Sequence, residues 1–276
     1  MTRADFLADS HIQGFSYWVA QRFNCDGNWR HTYITRDSGA RCSFKSLADA
    51  FRQYEWNGKS WSENFGELTT YRRQLRKAIA TGNGDAAFTV CEAVLCWGGV
   101  WANNGRTLAA RKPGLLGELR HVSAVLTSDR TPTTSDMQLG LIACSMNAGF
   151  VKIYSVLLDS CVIYDGRVGA ALGLLARQYC ENHGLPAVPL TLAFAYGLPK
   201  ESAKAKLPKL RNPNRGAYRF PKLRRDVRFH AEQAMRANWV LQAALDCCPG
   251  VFSSGEEGFH ELAAGLFMVG YDLTET

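Results

Sequence analysis

GFVKIYSVLLDSCVIYDGRVGAALGLLAR, residues 149–177, is the stretch on which the fold class turns. From Val168 onward, Ala171, Leu172, Leu175 and Tyr179 recur at i, i+3, i+4 and i+7 spacing, and Gly184 follows as a stop. That spacing predicts a helix beginning near Gly166, with Asp165 at or beside its N-cap. A capping aspartate accepts backbone N–H bonds and faces the positive end of the helix dipole, and both effects favour its ionised form. The first half of the stretch predicts a second helix over 150–158, almost wholly apolar except for Lys152. Each charge has an ordinary explanation. Asp165 can be a cap and nothing more, and Lys152, Ser155 and Asp159 can form the wet edge of a short helix. Against the second reading stand Phe150, Val151, Ile153, Tyr154, Val156, Leu157 and Leu158. An amine held among such groups loses hydration, which lowers its pKa and yields the neutral nucleophile that imine chemistry requires.

Outward from this stretch, helical periodicity dominates. Helices are expected over 3–22, 45–55 (with Ser43 as N-cap), 66–80, 85–97 (capped by Asp85), 114–126, 134–147, 226–246 and 257–269. In the third of these Arg72, Arg73, Arg76 and Lys77 are expected to face outward. WRHTYITR, residues 29–36, is the one strand-like piece and suggests a short hairpin. No repeat, low-complexity tract, sustained heptad or long Gly/Ser linker appears. The fold class expected is mostly α, one unit over 1–276 with subdomains at 1–130 and 131–276.

Composition narrows the function. With 46% hydrophobic and 21% charged residues the chain reads as globular rather than disordered. MTRADFLADSHIQGF carries charges where a secretory signal needs an apolar core, and LPAVPLTLAFAYGLP is too short and proline-broken to span a bilayer. The expected setting is cytoplasmic, with no membrane contact. The nine cysteines are scattered without a CxxC pair, and the six histidines show no metal-ligand spacing. Buried thiols are therefore expected, with no metal and no cofactor. The net charge of +7 is concentrated: residues 200–228 hold eleven Lys or Arg against Glu201 and Asp226, a local charge of +9. KESAKAKLPKLRNPNRGAYRFPKLRRDVR is broken by prolines, a glycine and two aromatics, which reads as a loop suited to a phosphate backbone. Lys209, Arg211, Asn214, Arg215, Arg219, Lys222, Arg224 and Arg225 are its expected nucleic-acid contacts. A solubilising loop is the plainer reading.

FVKIYSVLL followed by VIYDGRVGAALGLL resembles the helix-hairpin-helix DNA glycosylases, in particular their 8-oxoguanine glycosylase-like branch. In that family a hairpin carries a lysine ahead of an aliphatic helix, and a Val-Asp-x-x-Val type motif sets an aspartate at the next helix N-terminus. The resemblance implies two helical subdomains with a cleft between them, Lys152 and Asp165 as catalytic residues, and Val156 facing a base pocket. It implies double-stranded DNA as partner and no obligate protein partner. The implied activity is base flipping and N-glycosidic cleavage that leaves an abasic site, with a possible lyase step through a Lys152 imine. The implied substrate is an oxidised purine or a hypermodified phage base such as a glucosylated cytosine, the latter pointing to phage defence.

A flipped base needs a stacking surface and the vacated helix needs a wedge. Trp239, with Gln233 and Gln242 as edge readers, is the expected stacking group, although a helical Trp is more often core. WGGVWANNGRTL offers Asn103, Asn104 and Arg106 as an exposed wedge loop, with a plain inter-helix turn as the alternative. Arg167 is placed to bind a phosphate at the Asp165 helix end. The rival reading from another class is a non-catalytic nucleic-acid-binding helical protein, in which residues 200–228 carry the function.

Overall fold

Apolar residues at helical spacing fold as helices along most of the chain, and polar caps set where each begins. The computed structural model describes residues 1–24, 29–36, 38–199, 207–208 and 210–273. The expected helix over 3–22 is two, α1 (Arg3–Ala8) and α2 (Ser10–Ala20). Asp9 divides them: its backbone is extended, and its carboxylate accepts from His11 N and Ile12 N as a new N-cap. The strand-like piece forms β1 (His31–Ile34), antiparallel to β2 (Arg41–Phe44) with His31 opposite Phe44. Then follows α3 (Leu47–Arg52), capped by Ser46 rather than Ser43. Next, α4 (Trp61–Ala80) starts at Trp61 because Ser60 and Glu63 form a capping box. Asn83, not Asp85, caps α5 (Gly84–Trp97) by accepting from Ala86 N.

Two further departures bear on function. The glycine-rich piece expected as a loop is α6 (Trp101–Arg111), which α7 (Leu115–Leu126) follows. The helix expected over 134–147 is instead a 3-10 turn and a second antiparallel hairpin, β3 (Gln138–Leu139) with β4 (Ile142–Ala143). Gly140 turns that hairpin at φ +62°, and its exposed Leu139, Leu141 and Ile142 mimic a helical apolar pattern without being buried. The remaining helices are α8 (Phe150–Leu157), α9 (Gly166–Asn182), α10 (Val227–Cys247) and α11 (Gly255–Val269). The described residues are thus mostly α, with two two-stranded hairpins.

The chain divides into two compact units. Unit 1 comprises Met1–Tyr54, Tyr164–Arg224 and Arg236–Thr276, and unit 2 comprises Glu55–Ile163 and Arg225–Met235. The units are interleaved in sequence rather than successive. In unit 1, α11 packs on α3 and α9, and α2 packs on α9. Two small residues of α9 let other backbone come close. A Cβ on Gly169 would strike the Ala195 carbonyl oxygen, and one on Gly173 would lie 2.7 Å from Pro213 Cγ. The segment just before the basic stretch, at Ala195, and Pro213 within it are docked there. In unit 2, α5 is central, touching α4, α6, α7 and α8. The thiols of Cys91, Cys144, Cys161 and Cys180 are buried, whereas Cys96 and Cys247 are exposed. Burial pushes Cys91 up to about 12 and Cys144 and Cys180 up to about 11, so these three stay protonated.

Candidate functional site

Unit 2 holds Lys152. Every residue of the eight-residue α8 is buried, and Lys152 is 6% exposed. Ser155 is buried as well, so the wet-edge arrangement does not form. The lysine's stem runs over Gly98 at the end of α5, where an added Cβ would lie 2.7 Å from Cε and nearer still to Cδ. Both ends of α8 are held by side chains. At its start Asn147 Oδ1 accepts from Gly149 N at 2.7 Å and Phe150 N at 3.0 Å. Asn147 Nδ2 donates to Asn104 Oδ1 at 3.1 Å, and Asn104 Nδ2 donates to the Val100 carbonyl at 2.9 Å. At its end Arg72 Nε donates to the Val156 carbonyl at 2.7 Å, and Arg76 Nη2 donates to the Leu157 carbonyl at 2.8 Å. Two cations at a buried C-terminus satisfy its carbonyls and match its dipole. Arg72 therefore faces inward, correcting its expected surface position.

Unit 1 holds Asp165. It is the N-cap of α9, its Oδ1 accepting from Arg167 N at 2.8 Å and Val168 N at 3.1 Å. The residue before it is pinned, since buried Tyr164 donates its hydroxyl to the Ala195 carbonyl at 2.8 Å. The Arg167 guanidinium lies over the Phe267 ring at 4.2 Å and the Tyr271 ring at 5.1 Å. Burial, and then the positive fields of Arg211 and Arg36, lower it to about 10 while Asp165 opposes them. It remains a cation at neutral pH. Arg36 lies over Tyr271 at 4.3 Å and donates to the Tyr271 carbonyl at 3.0 Å. Burial holds the Tyr54 hydroxyl protonated well above its ordinary value, with Arg167 opposing and Asp165 adding. The α9 N-terminus thus gathers one carboxylate, three arginines and two tyrosines.

A pocket of about 440 Å³ opens in unit 1. Its polar wall is Arg177, Tyr196, Arg211, Asn212, Asn214 and Arg215, and Leu198, Pro199 and Leu210 form an apolar rim. Arg177 is 3% exposed, donates to the Pro213 carbonyl at 3.1 Å, and lies 3.7 Å from Glu181. Backbone bonds fix the loop that lines the pocket. Leu223 N donates to the Tyr196 carbonyl at 2.8 Å, Tyr218 N to the Arg215 carbonyl at 2.8 Å, and Phe220 N to Asn214 Oδ1 at 2.7 Å.

The residues expected from sequence fall as follows. Arg211, Asn214 and Arg215 meet at the pocket, while Arg219, Lys222 and Arg224 are exposed on the same loop. Arg225 is exposed and belongs to unit 2. Lys209, like residues 200–206, lies outside the described residues. Val156 is buried, with its carbonyl bound by Arg72. Gln233 is 1% exposed, Trp239 packs on Phe6 at 5.6 Å between centroids, and Gln242 donates to Asp246 at 2.9 Å. In the expected wedge, Asn103 and Arg106 are exposed but on helix α6, and Asn104 is buried in the bonds described above. Arg177 and Tyr196 were not singled out from sequence. The readable signal for Arg177 was the one that marked Lys152, a cation inside an apolar helical run.

Among the described residues no helix is long and apolar enough to cross a membrane, and no group of three or more His, Cys, Asp or Glu is placed to hold a metal. Fold and site together define a mostly α protein of two helical units. One unit carries a buried lysine, and the other an aspartate-capped helix with an arginine-lined pocket. No protein-family model, curated protein or solved structure matches the chain.

Proposed function

We propose that the protein is a DNA glycosylase that excises a modified base, with Lys152 as nucleophile and Asp165 as the stabilising carboxylate. The observation that carries this reading is the burial of Lys152, 6% exposed in a helix with no other charged residue. Burying an amine costs free energy that pairing, hydrogen bonding or a chemical role must offset, and ionisable groups held in such settings gather at functional sites. Asp165 adds support: two backbone N–H groups fix its carboxylate, the preorganised charge a cationic sugar requires.

In this reading one nucleotide is flipped out of the duplex at a cost of a few kcal/mol. In its neutral form the Lys152 amine bonds to C1′ as the glycosidic bond breaks. The base leaves with the bonding electron pair and takes up the proton the amine releases. The Asp165 carboxylate offsets positive charge on the sugar as the bond lengthens. Opening of the sugar ring then gives an imine between Lys152 and C1′, from which β-elimination can cut the strand. The substrate is an oxidised purine or a hypermodified phage base, the second consistent with a role in phage defence. The exposed cations of 215–225 supply duplex contacts.

The test is incubation with duplexes carrying oxidised purines and with phage DNA bearing glucosylated hydroxymethylcytosine, scoring released base and abasic sites. Borohydride should trap wild type on its substrate, and Lys152→Gln should abolish the adduct. Intact DNA binding with no base released from either substrate class would instead favour the non-catalytic nucleic-acid-binding reading, for which the basic pocket of unit 1 is the supporting observation.

A further inference from the structure

We infer that the pocket of unit 1 is a nucleotide site for a base outside any duplex, separate from the chemistry assigned to Asp165. Asp165 is not among its lining residues, and its Arg177 wall lies about 18 Å along the α9 axis from Asp165 at 1.5 Å per residue, although Arg211 reaches back toward that helix end. Its lining is one-sided in charge. Arg177, Arg211 and Arg215 contribute to it, and no Asp or Glu is among its described lining residues. Glu181 lies 3.7 Å from Arg177. A planar guanidinium that is nine-tenths buried, aligned by a backbone carbonyl, presents its donors with little ordering cost, the arrangement that suits phosphate oxygens.

The rest of the lining fits a base rather than a bare anion. Asn212 and Asn214 bring two primary amides that can donate along a base edge, the Asn212 oxygen also accepting from Asn214 N at 3.1 Å. Asn214 is oriented, its Oδ1 receiving Phe220 N at 2.7 Å and its Nδ2 lying 3.5 Å from the Tyr196 hydroxyl. Leu198 and Leu210, 61% and 45% exposed, stand at the rim with Pro199 as apolar surface for the face of a ring. At about 440 Å³ the pocket lies within the range of small-ligand sites and accommodates one nucleotide. A base paired in a duplex has its edge occupied and cannot enter. Two sources present this chemistry: a free nucleoside monophosphate and an unpaired nucleotide within a single strand. The position of Arg211 favours the strand, because it lines the pocket and also acts electrostatically on Arg167 at the start of α9. Cations therefore continue from that helix end to the pocket.

The experiment is calorimetric titration of the full chain with deoxynucleoside 5′-monophosphates, with inorganic phosphate, and with a short single-stranded oligodeoxynucleotide. Circular dichroism serves as the folding control for each variant. Saturable binding of a monophosphate or of the strand is expected, weakened about tenfold or more in Arg211→Gln/Arg215→Gln, since two charge-assisted contacts are lost. Asn212→Ala, on an exposed side chain, should narrow the difference in affinity between the four bases. Binding of both probes at one competing site assigns the pocket to the nucleotide in either form; binding of the strand alone assigns it to single-stranded DNA. Inorganic phosphate binding as tightly as the nucleotide would overturn the base subsite. Absence of saturable binding, or binding indifferent to the folded double variant, would overturn the site. Asp165→Asn should leave this binding intact while removing base release, so either reading can fail alone.

Discussion

Arg177 Nη1 donates to the carbonyl of Pro213 at 3.1 Å, tying α9 to the basic segment. Pro213 also rests on the open face that Gly173 leaves on the same helix. A run of like charges, which repels itself as a free chain, is thereby given a fixed path over the core. The cation that fixes it is one of the three that line the pocket.

Replacing Arg177 with Met should therefore loosen the segment as well as empty the pocket of a charge. The buried Pro213 carbonyl loses a donor, at a cost of about 1–3 kcal/mol. Thermal unfolding should fall by about 2–4 °C per kcal/mol lost. Limited trypsinolysis should cut faster after Arg215 and Arg219 than in wild type. Unchanged proteolysis there would show that the loop does not depend on this bond.

At Asp165, capping and chemistry can be separated by two substitutions. Asn caps as well as Asp, so Asp165→Asn should cost less than about 1 kcal/mol, mostly the charge–dipole part, while Asp165→Ala should cost about 1 kcal/mol or more. If the carboxylate stabilises a cationic sugar, both should lower base release about 100-fold or more. Chemical denaturation alongside a single-turnover assay checks the pair. Full activity in the well-folded Asn variant would leave Asp165 as a cap alone.

The same substitution, Gly→Ala, should act through different neighbours at two positions. At Gly169 the new methyl meets the Ala195 carbonyl and Tyr196 Cα, backbone that cannot yield, and the cost should be about 2 kcal/mol or more. At Gly98 it meets the middle of a flexible lysine stem in a backbone conformation any residue adopts. Gly98→Ala should cost about 1 kcal/mol or more and displace Lys152, cutting borohydride-trapped adduct severalfold. Paired melting curves and trapping assays read both outcomes.

Asp136 should give unit 2 an acid-sensitive element. It accepts both Arg130 Nη1 at 2.7 Å and Arg130 Nη2 at 2.9 Å, and also Thr133 N and Oγ1. The arginine first, then Thr133, holds its carboxyl well below the ordinary carboxylate range. A depressed folded pKa contributes stability that is present above the unfolded value near 4 and is lost as pH falls toward the folded one. Asp136→Asn should therefore be less stable than wild type at pH 7, by about 1 kcal/mol for so accessible a pair. The gap should close as pH drops below about 4. A gap that persists or widens in acid would contradict this assignment.

Much of the local architecture was legible in the sequence. The aliphatic face of 168–179 placed α9, and the aspartate before it placed the cap, because cap and period are local properties of the chain. Where reading failed, competition between neighbouring polar groups decided the outcome. Asp9 split one helix into two, Asn83 displaced Asp85 as cap, and exposed Leu141 and Ile142 imitated helical spacing in a hairpin. Asn104 looked like surface because two asparagines beside glycine suggest a turn, yet its amide holds the start of α8.

By itself, the sequence determined a mostly α chain, the cap at Asp165, the apolar setting of Lys152 and a basic excess confined to one segment. These follow from composition and from spacing within a few turns. Only the tertiary structure decided that Lys152 is buried over Gly98, that Arg72 and Arg76 close the end of α8, and that Arg177 and Tyr196 join Arg211, Asn214 and Arg215 around one pocket. Those groups stand far apart in the chain. What brings them together is the burial of apolar faces and the close approach that a missing Cβ permits, and neither is written in the spacing of any single segment.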